Sequence, residues 1–144
     1  MKRSFTLLEL VVVILIMGIV LFLSVPNLSV KYKEVKFDNF SYHLLQFFKS
    51  AQDSSFKDNT LIEVKLEPEV FKIYKNNNKV DSISIPKEYR IDTEIGKVVF
   101  YPTGLLRTYS GERILNSAQM EIVFNKRIKI IFFYSEAGNV FIKE

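Results

Sequence analysis

Glu9 is the residue in this chain whose position most needs a chemical explanation. From Leu10 to Leu23 no residue is charged, so its carboxylate stands at the lip of a long apolar run. A charged side chain at the centre of a membrane helix costs about 2.5–3.5 kcal/mol, and less near an end. Such a group is worth keeping where another charge comes to meet it. Elsewhere the groups that could do chemistry are sparse. His43 is the single histidine and there is no cysteine, which removes disulfides, thiolate nucleophiles and cysteine-bearing metal sites. No H-E-x-x-H, G-x-S-x-G, P-loop or G-x-G-x-x-G pattern occurs. Neither His43 nor the carboxylates Glu67 and Glu69 have a partner at a spacing that would make a catalytic pair. The inventory points away from an enzyme, and no metal or cofactor is expected.

The elements that would position Glu9 follow from hydropathy. The chain has 144 residues, 48% of them hydrophobic, and the apolar ones are concentrated at the start. Phe5 to Val25 would make a helix of about 31 Å at ~1.5 Å per residue, close to the ~30 Å of a bilayer core. A cleaved secretory signal is a poor reading, because Ser24-Val25-Pro26-Asn27 lacks the small-residue cleavage pattern. A plain signal anchor remains open, although an anchor gains nothing from Glu9. Gly18 and Pro26 are the helix-weakening positions. Pro26 has no N–H for the carbonyl of Phe22, so a kink or loosening is expected there, or a membrane exit.

Beyond Pro26, Phe37, Phe40, Leu44, Phe47, Phe48 and Ala51 recur every three or four residues. That is an amphipathic helix with one apolar stripe, and His43 reads as a surface residue on it. From Thr60 the period becomes two. Ile62, Val64 and Leu66 form a half-buried strand, and Phe71 and Ile73 lie on the next. Asn76 to Lys79 reads as a turn, with Val80 to Ile85 returning from it. Lys97 to Tyr101, a hairpin of Glu121–Phe124 with Ile128–Tyr134, and Val140 to Lys143 complete the strands, while residues 103–119 read as a loop. Lys126, Arg127 and Lys129 read as the hairpin turn. The expected fold class is α+β, a long N-terminal helix with a membrane-spanning first half, followed by an antiparallel β-sheet domain.

Lys2-Arg3-Ser4-Phe5-Thr6-Leu7-Leu8-Glu9 resembles the processing site of type IV pilins and type II secretion pseudopilins. The resemblance implies a leader of residues 1–4, a transmembrane half-helix over 5–26, an amphipathic half over 27–58 and a β-domain over 59–144. It implies cleavage between Ser4 and Phe5 by a prepilin peptidase, methylation of the Phe5 amine by its N-methyltransferase activity, and use of Glu9 in filament assembly. The new amine and the Glu9 of a neighbouring subunit would offset one another and fix the axial register, the registry use for which buried charges are best attested. Pilin helices often carry a Gly and a Pro where this chain has Gly18 and Pro26. The family prefers Gly before the cut, where this chain has Ser4.

Phe100-Tyr101-Pro102-Thr103-Gly104 and Ala137-Gly138-Asn139-Val140 further resemble the GspH/FimT branch of minor pseudopilins. Expected partners are therefore other major and minor pseudopilins or pilins and an inner-membrane assembly platform. The expected location is a single pass through the cytoplasmic membrane with the C-terminal domain outside. A DNA-uptake pilin is the alternative, and it would need a clustered basic surface. Lys2 and Arg3 precede the apolar run, leaving eighteen basic against sixteen acidic residues. No cluster is visible along the chain, and the tail Val140–Glu144 has no arginine, so the linear sequence argues against a nucleic-acid partner.

Overall fold

The computed structural model describes residues 6–135 and 137–143, except for the side chains of 23–27. The processing positions Ser4 and Phe5 lie outside the described residues. Residues 1–38 and 39–144 form two compact units.

A single helix, α1 (Leu7–Lys57), runs through both units. It starts at Thr6, which accepts the Glu9 N–H at its carbonyl (3.1 Å) and at Oγ1 (3.3 Å), as an N-cap threonine does for the third helical residue. The helix continues through Pro26. Proline removes one backbone hydrogen bond, and the bonds on either side can carry the helix past it. In the first unit the side chains from Leu10 to Phe22 are exposed on every face of the helix. Among the described residues no helix is long and apolar enough to cross a membrane. The described uncharged run, Leu10 to Phe22, spans only about 20 Å at ~1.5 Å per residue.

In the second unit the apolar stripe does what its period requires. Leu44, Leu45, Phe47, Phe48 and Ala51 are buried, whereas His43 on the opposite side is exposed. The helix stops where Asn59 takes a left-handed conformation (φ 48) and the Thr60 N–H returns to the Ser55 carbonyl at 3.1 Å, a C-terminal arrangement asparagine tolerates.

Among the described residues ten antiparallel strands follow in two sheets. They are β1 (Ile62–Leu66), β2 (Val70–Lys75), β3 (Asn78–Ser84), β4 (Arg90–Thr93), β5 (Lys97–Phe100), β6 (Leu106–Ser110), β7 (Arg113–Leu115), β8 (Ser117–Phe124), β9 (Arg127–Tyr134) and β10 (Asn139–Lys143). One sheet has the order β3-β2-β1-β5-β6-β7 and the other β10-β9-β8-β4. Alternation chooses the buried faces: Ile62, Val64, Phe71, Ile73, Val98, Phe100 and Leu106 in the first sheet, Met120, Ile122, Ile131, Phe133 and Val140 in the second. Phe48 joins both sheets to the helix, with its ring centroid 6.2 Å from Phe71 and 5.0 Å, edge-on, from Phe133.

Two readings need correction. Residues 103–119 are not a loop, because β6 and β7 pair within them, Thr108 opposite Leu115. The hairpin turn does sit at Asn125 (φ 54), but Lys129 is not part of it. Strand alternation turns Lys129 inward, where it is 2% exposed and its Nζ lies 4.8 Å from the centroid of the Tyr42 ring. An aromatic face is one of the few apolar surfaces that attracts an ammonium.

Candidate functional site

Glu9 occupies the third position of α1 and is exposed. With Thr6 it completes a Thr-x-x-Glu sequence, the capping-box pattern in which the carboxylate also favours the helix start. The sequence carried that signal, and it gives Glu9 a local use besides any partner. Gly18 lies mid-helix, and a Cβ added there would meet nothing within 4 Å. Among the described residues no packing contact requires that glycine. Pro26 lies within the helix, its side chain outside the described set.

The two turn motifs, far apart in sequence, meet. Gly104 (φ 85) closes the Tyr101–Leu105 turn, its N–H donating to the Tyr101 carbonyl at 3.0 Å, and Gly138 (φ 62) sits in the turn before β10. A Cβ on Gly138 would lie 1.9 Å from the Gly104 carbonyl oxygen. Gln52 of α1 ties both down, its side-chain amide donating to the Gly138 carbonyl and, at 3.4 Å, to that of Gly104. The junction is structural: a helix amide holding two backbone turns together. Gln52→Ala should lose about 1–3 kcal/mol, the usual cost of leaving buried carbonyls unpaired. Urea denaturation monitored by circular dichroism measures it, and an unchanged midpoint would mean water replaces the amide.

Register also builds a surface that spacing along the chain concealed. Lys65 pairs with Lys72 across β1–β2 and with Lys97 across β1–β5, so three ammonium-bearing residues stand side by side on the outer face of the six-stranded sheet. Tyrosines accompany them. Lys65 Nζ lies 4.7 Å from the Tyr74 ring centroid, Lys97 Nζ 5.0 Å from that of Tyr109, and the Arg107 guanidinium 5.6 Å from that of Tyr101. Glu67 binds the Lys72 ammonium at 2.7 Å, which raises the Lys72 pKa, and Glu63 lies 3.6 Å from Lys97. A hydrogen bond with Tyr109, then burial, raises the Tyr101 phenol above its ordinary value against the opposing Arg107. Both act in the direction that keeps Tyr101 neutral. The signal in the sequence was the placing of Lys65, Lys72 and Lys97 at outward strand positions, which only the pairing turns into a row.

Among the described residues no group of three or more His, Cys, Asp or Glu could hold a metal ion. The clefts are open. One, of about 500 Å³, is lined by Asp92, Thr93, Glu94, Ile95 and Glu121 among others.

No known family model matches this sequence, and no curated protein does so. Among solved structures, the type IV minor pilin FimU of Pseudomonas aeruginosa is similar over 78% of this chain and 91% of that one, with a TM-score of 0.61 and 8% sequence identity. The fold is pilin-like. An N-terminal helix laid against antiparallel sheet is what the two chains share, and at that identity the likeness is one of fold alone. The N-terminal part of α1 carries exposed apolar side chains on all its faces.

Proposed function

We propose that this chain is a pilin-like filament subunit, cleaved between Ser4 and Phe5, methylated on the Phe5 amine and assembled through its N-terminal helix. The observation that carries the proposal is the exposure of α1 from Leu10 to Phe22, between 42% and 79% for the large apolar side chains. A helix apolar all round needs lipid or other helices around it. In this reading it first holds the subunit in the cytoplasmic membrane, with residues 23–25 completing the span and the β-domain outside. Neighbouring helices then replace the lipid in the filament. Glu9 meets the Phe5 amine of a neighbour, Gly18 lets a neighbouring backbone approach closely, and Pro26 is a weak point at which the helix can stretch. The partners are the prepilin peptidase with its methyltransferase activity, other pilins or pseudopilins and the assembly platform. The meeting of the Pro102–Gly104 and Ala137–Asn139 turns supports the finer assignment to GspH/FimT-type minor subunits of a secretion or pilus filament. Its work is assembly rather than catalysis.

The test is the intact mass, with N-terminal fragment ions, of the chain co-expressed with a prepilin peptidase and extracted from membranes. A start at Phe5 with one methyl on its amine is expected. Ser4→Gly, restoring the family's preferred residue, should raise the processed fraction. An uncut chain in both forms would sink the proposal.

A further inference from the structure

An antiparallel sheet that faces water on one side alternates apolar residues inward with polar ones outward, and β9 breaks that rule. Its outward residues are Ile128, Ile130, Phe132 and Tyr134, with Val123 of β8 and Phe141 of β10 beside them. Ile128 is 50% exposed, Tyr134 43% and Phe141 42%. The Phe141 ring stacks on both neighbours, its centroid 5.3 Å from that of Phe132 and 5.5 Å from that of Tyr134, so the patch is continuous and already formed. A contiguous apolar patch with a polar rim marks a docking surface. Register sets that rim. Glu121 of β8 and Lys143 of β10 both pair with Ile130. An anion and a cation thus stand at one level, each one strand away from β9. Among the described residues neither of them makes an ion pair. Asp92 lies opposite Glu121 from β4, and like charges so placed are destabilising, which leaves Glu121 in want of a cation.

We infer that this outer face of the four-stranded sheet docks on the same face of a second copy of the chain, about a two-fold axis running along β9. Such an axis carries each residue beside β9 to the far side of the partner's β9 at the same level. Lys143 of one copy then falls on Glu121 of the other, and the pair occurs twice, as an isologous contact requires. The other levels match too. Phe141, level with Phe132, falls on Gln119, and Asn139, level with Tyr134, falls on Ser117. On the axis Ile130, Phe132 and Tyr134 meet their own copies. An unrelated protein could cover the stripe, but only a second copy turns the equal offsets of Glu121 and Lys143 into two ion pairs. Sheets packed face to face lie about 10 Å apart with strands within about 30° of one another, which long side chains can span. Four strands about 4.8 Å apart and at most eight residues long, at about 3.4 Å each, cover at most about 500 Å² a side. The total of about 1,000 Å² is at the lower limit of a specific interface, so the dimer is weak and reversible. A two-fold contact closes on itself and does not propagate; it holds subunits that are outside a filament rather than building one. Only β-domain residues take part, so the dimer stands or falls apart from cleavage at Ser4 and assembly through the N-terminal helix.

The experiment is sedimentation equilibrium of the full chain in density-matched neutral-detergent micelles, at up to about 200 μM chain, a concentration at which a micromolar dimer is populated. A monomer–dimer equilibrium is expected, weakening as salt screens the two ion pairs. Glu121→Lys and Lys143→Glu change the net charge in opposite directions, and each should weaken the dimer at least tenfold. The two exchanges in one chain restore both pairs with their signs reversed and should bring the Kd back to within threefold. An equimolar mixture of the two single variants should likewise form a heterodimer. Ile130→Lys, which sets two cations together on the axis, should abolish association, with circular dichroism checking that each variant is folded. A chain that stays monomeric would overturn the inference and leave the face to a different protein. Association that survives both single exchanges would also overturn it, and assign self-association to the N-terminal helix. Loss in both single variants without recovery in the double exchange would rule out the two-fold arrangement.

Discussion

Glu9→Gln is expected to lower incorporation into sheared filaments at least tenfold while leaving the amount of chain in the membrane unchanged or higher. Glutamine keeps the shape and removes the charge. If Glu9 served only the start of α1, the exchange would forfeit a helix-dipole interaction of about 0.3–1 kcal/mol, too little to stop assembly. If it meets the Phe5 amine of a neighbour, the exchange leaves that cation uncompensated among apolar helices, where losing one partner of a buried pair costs about 3–5 kcal/mol. Thr6→Ala is the contrast. It removes the cap on the Glu9 N–H, at about 0.5–2 kcal/mol, and keeps the carboxylate, so it should assemble nearly as well as the natural chain. Immunoblotting of sheared and membrane fractions separates the cases. Wild-type incorporation of Glu9→Gln, or a Thr6→Ala defect of equal size, would return Glu9 to a capping role.

Gly138→Ala should destabilise the β-domain by about 4 kcal/mol or more, at the exceptional end for one substitution. The added Cβ would stand 1.9 Å from the Gly104 carbonyl oxygen, a backbone atom that cannot swing aside. The left-handed φ of 62 adds about 1–2 kcal/mol for any residue with a Cβ. Separating the two turns would also pull both carbonyls from Gln52. For a domain near a hundred residues, about 4–8 °C of Tm accompanies each kcal/mol, so a fall of at least about 15 °C is expected by thermal circular dichroism. Gly104→Ala isolates the backbone contribution, because its φ is also positive but a Cβ there meets nothing within 4 Å. It should lose only about 1–2 kcal/mol. Equal losses at the two glycines would mean that the turns do not press on one another.

What was legible in the sequence was whatever depends on local period. Ile62 with Val64, Phe71 with Ile73, and the turn at Asn125 were readable because alternation and turn chemistry act within a few residues. Arg90–Thr93 and Leu106–Leu115 were not, because these short strands are mostly polar and bury few side chains, chiefly Leu106 and Thr108. Lys129 misled for the opposite reason: a charge beside a turn reads as solvated, and its inward orientation comes from register alone. The same holds for the candidate surfaces. Glu9 could be singled out against its apolar run, but the lysine row and the contact between Gly104 and Gly138 exist only once distant strands have found their pairing.

Gln52 donates to a carbonyl 86 residues further along the chain. A bond of that reach closes only after β10 has docked, since each longer loop must be closed before its contact is rewarded. It therefore belongs to the last stage of folding, and interactions absent from the transition state govern how slowly a native chain comes apart rather than how fast it forms. The deficits of Gln52→Ala and Gly138→Ala should accordingly appear in the unfolding limb of a chevron, with the refolding limb little changed. The junction is a time lock, set by the final turn of the chain to arrive and holding the β-domain closed once the fold has formed.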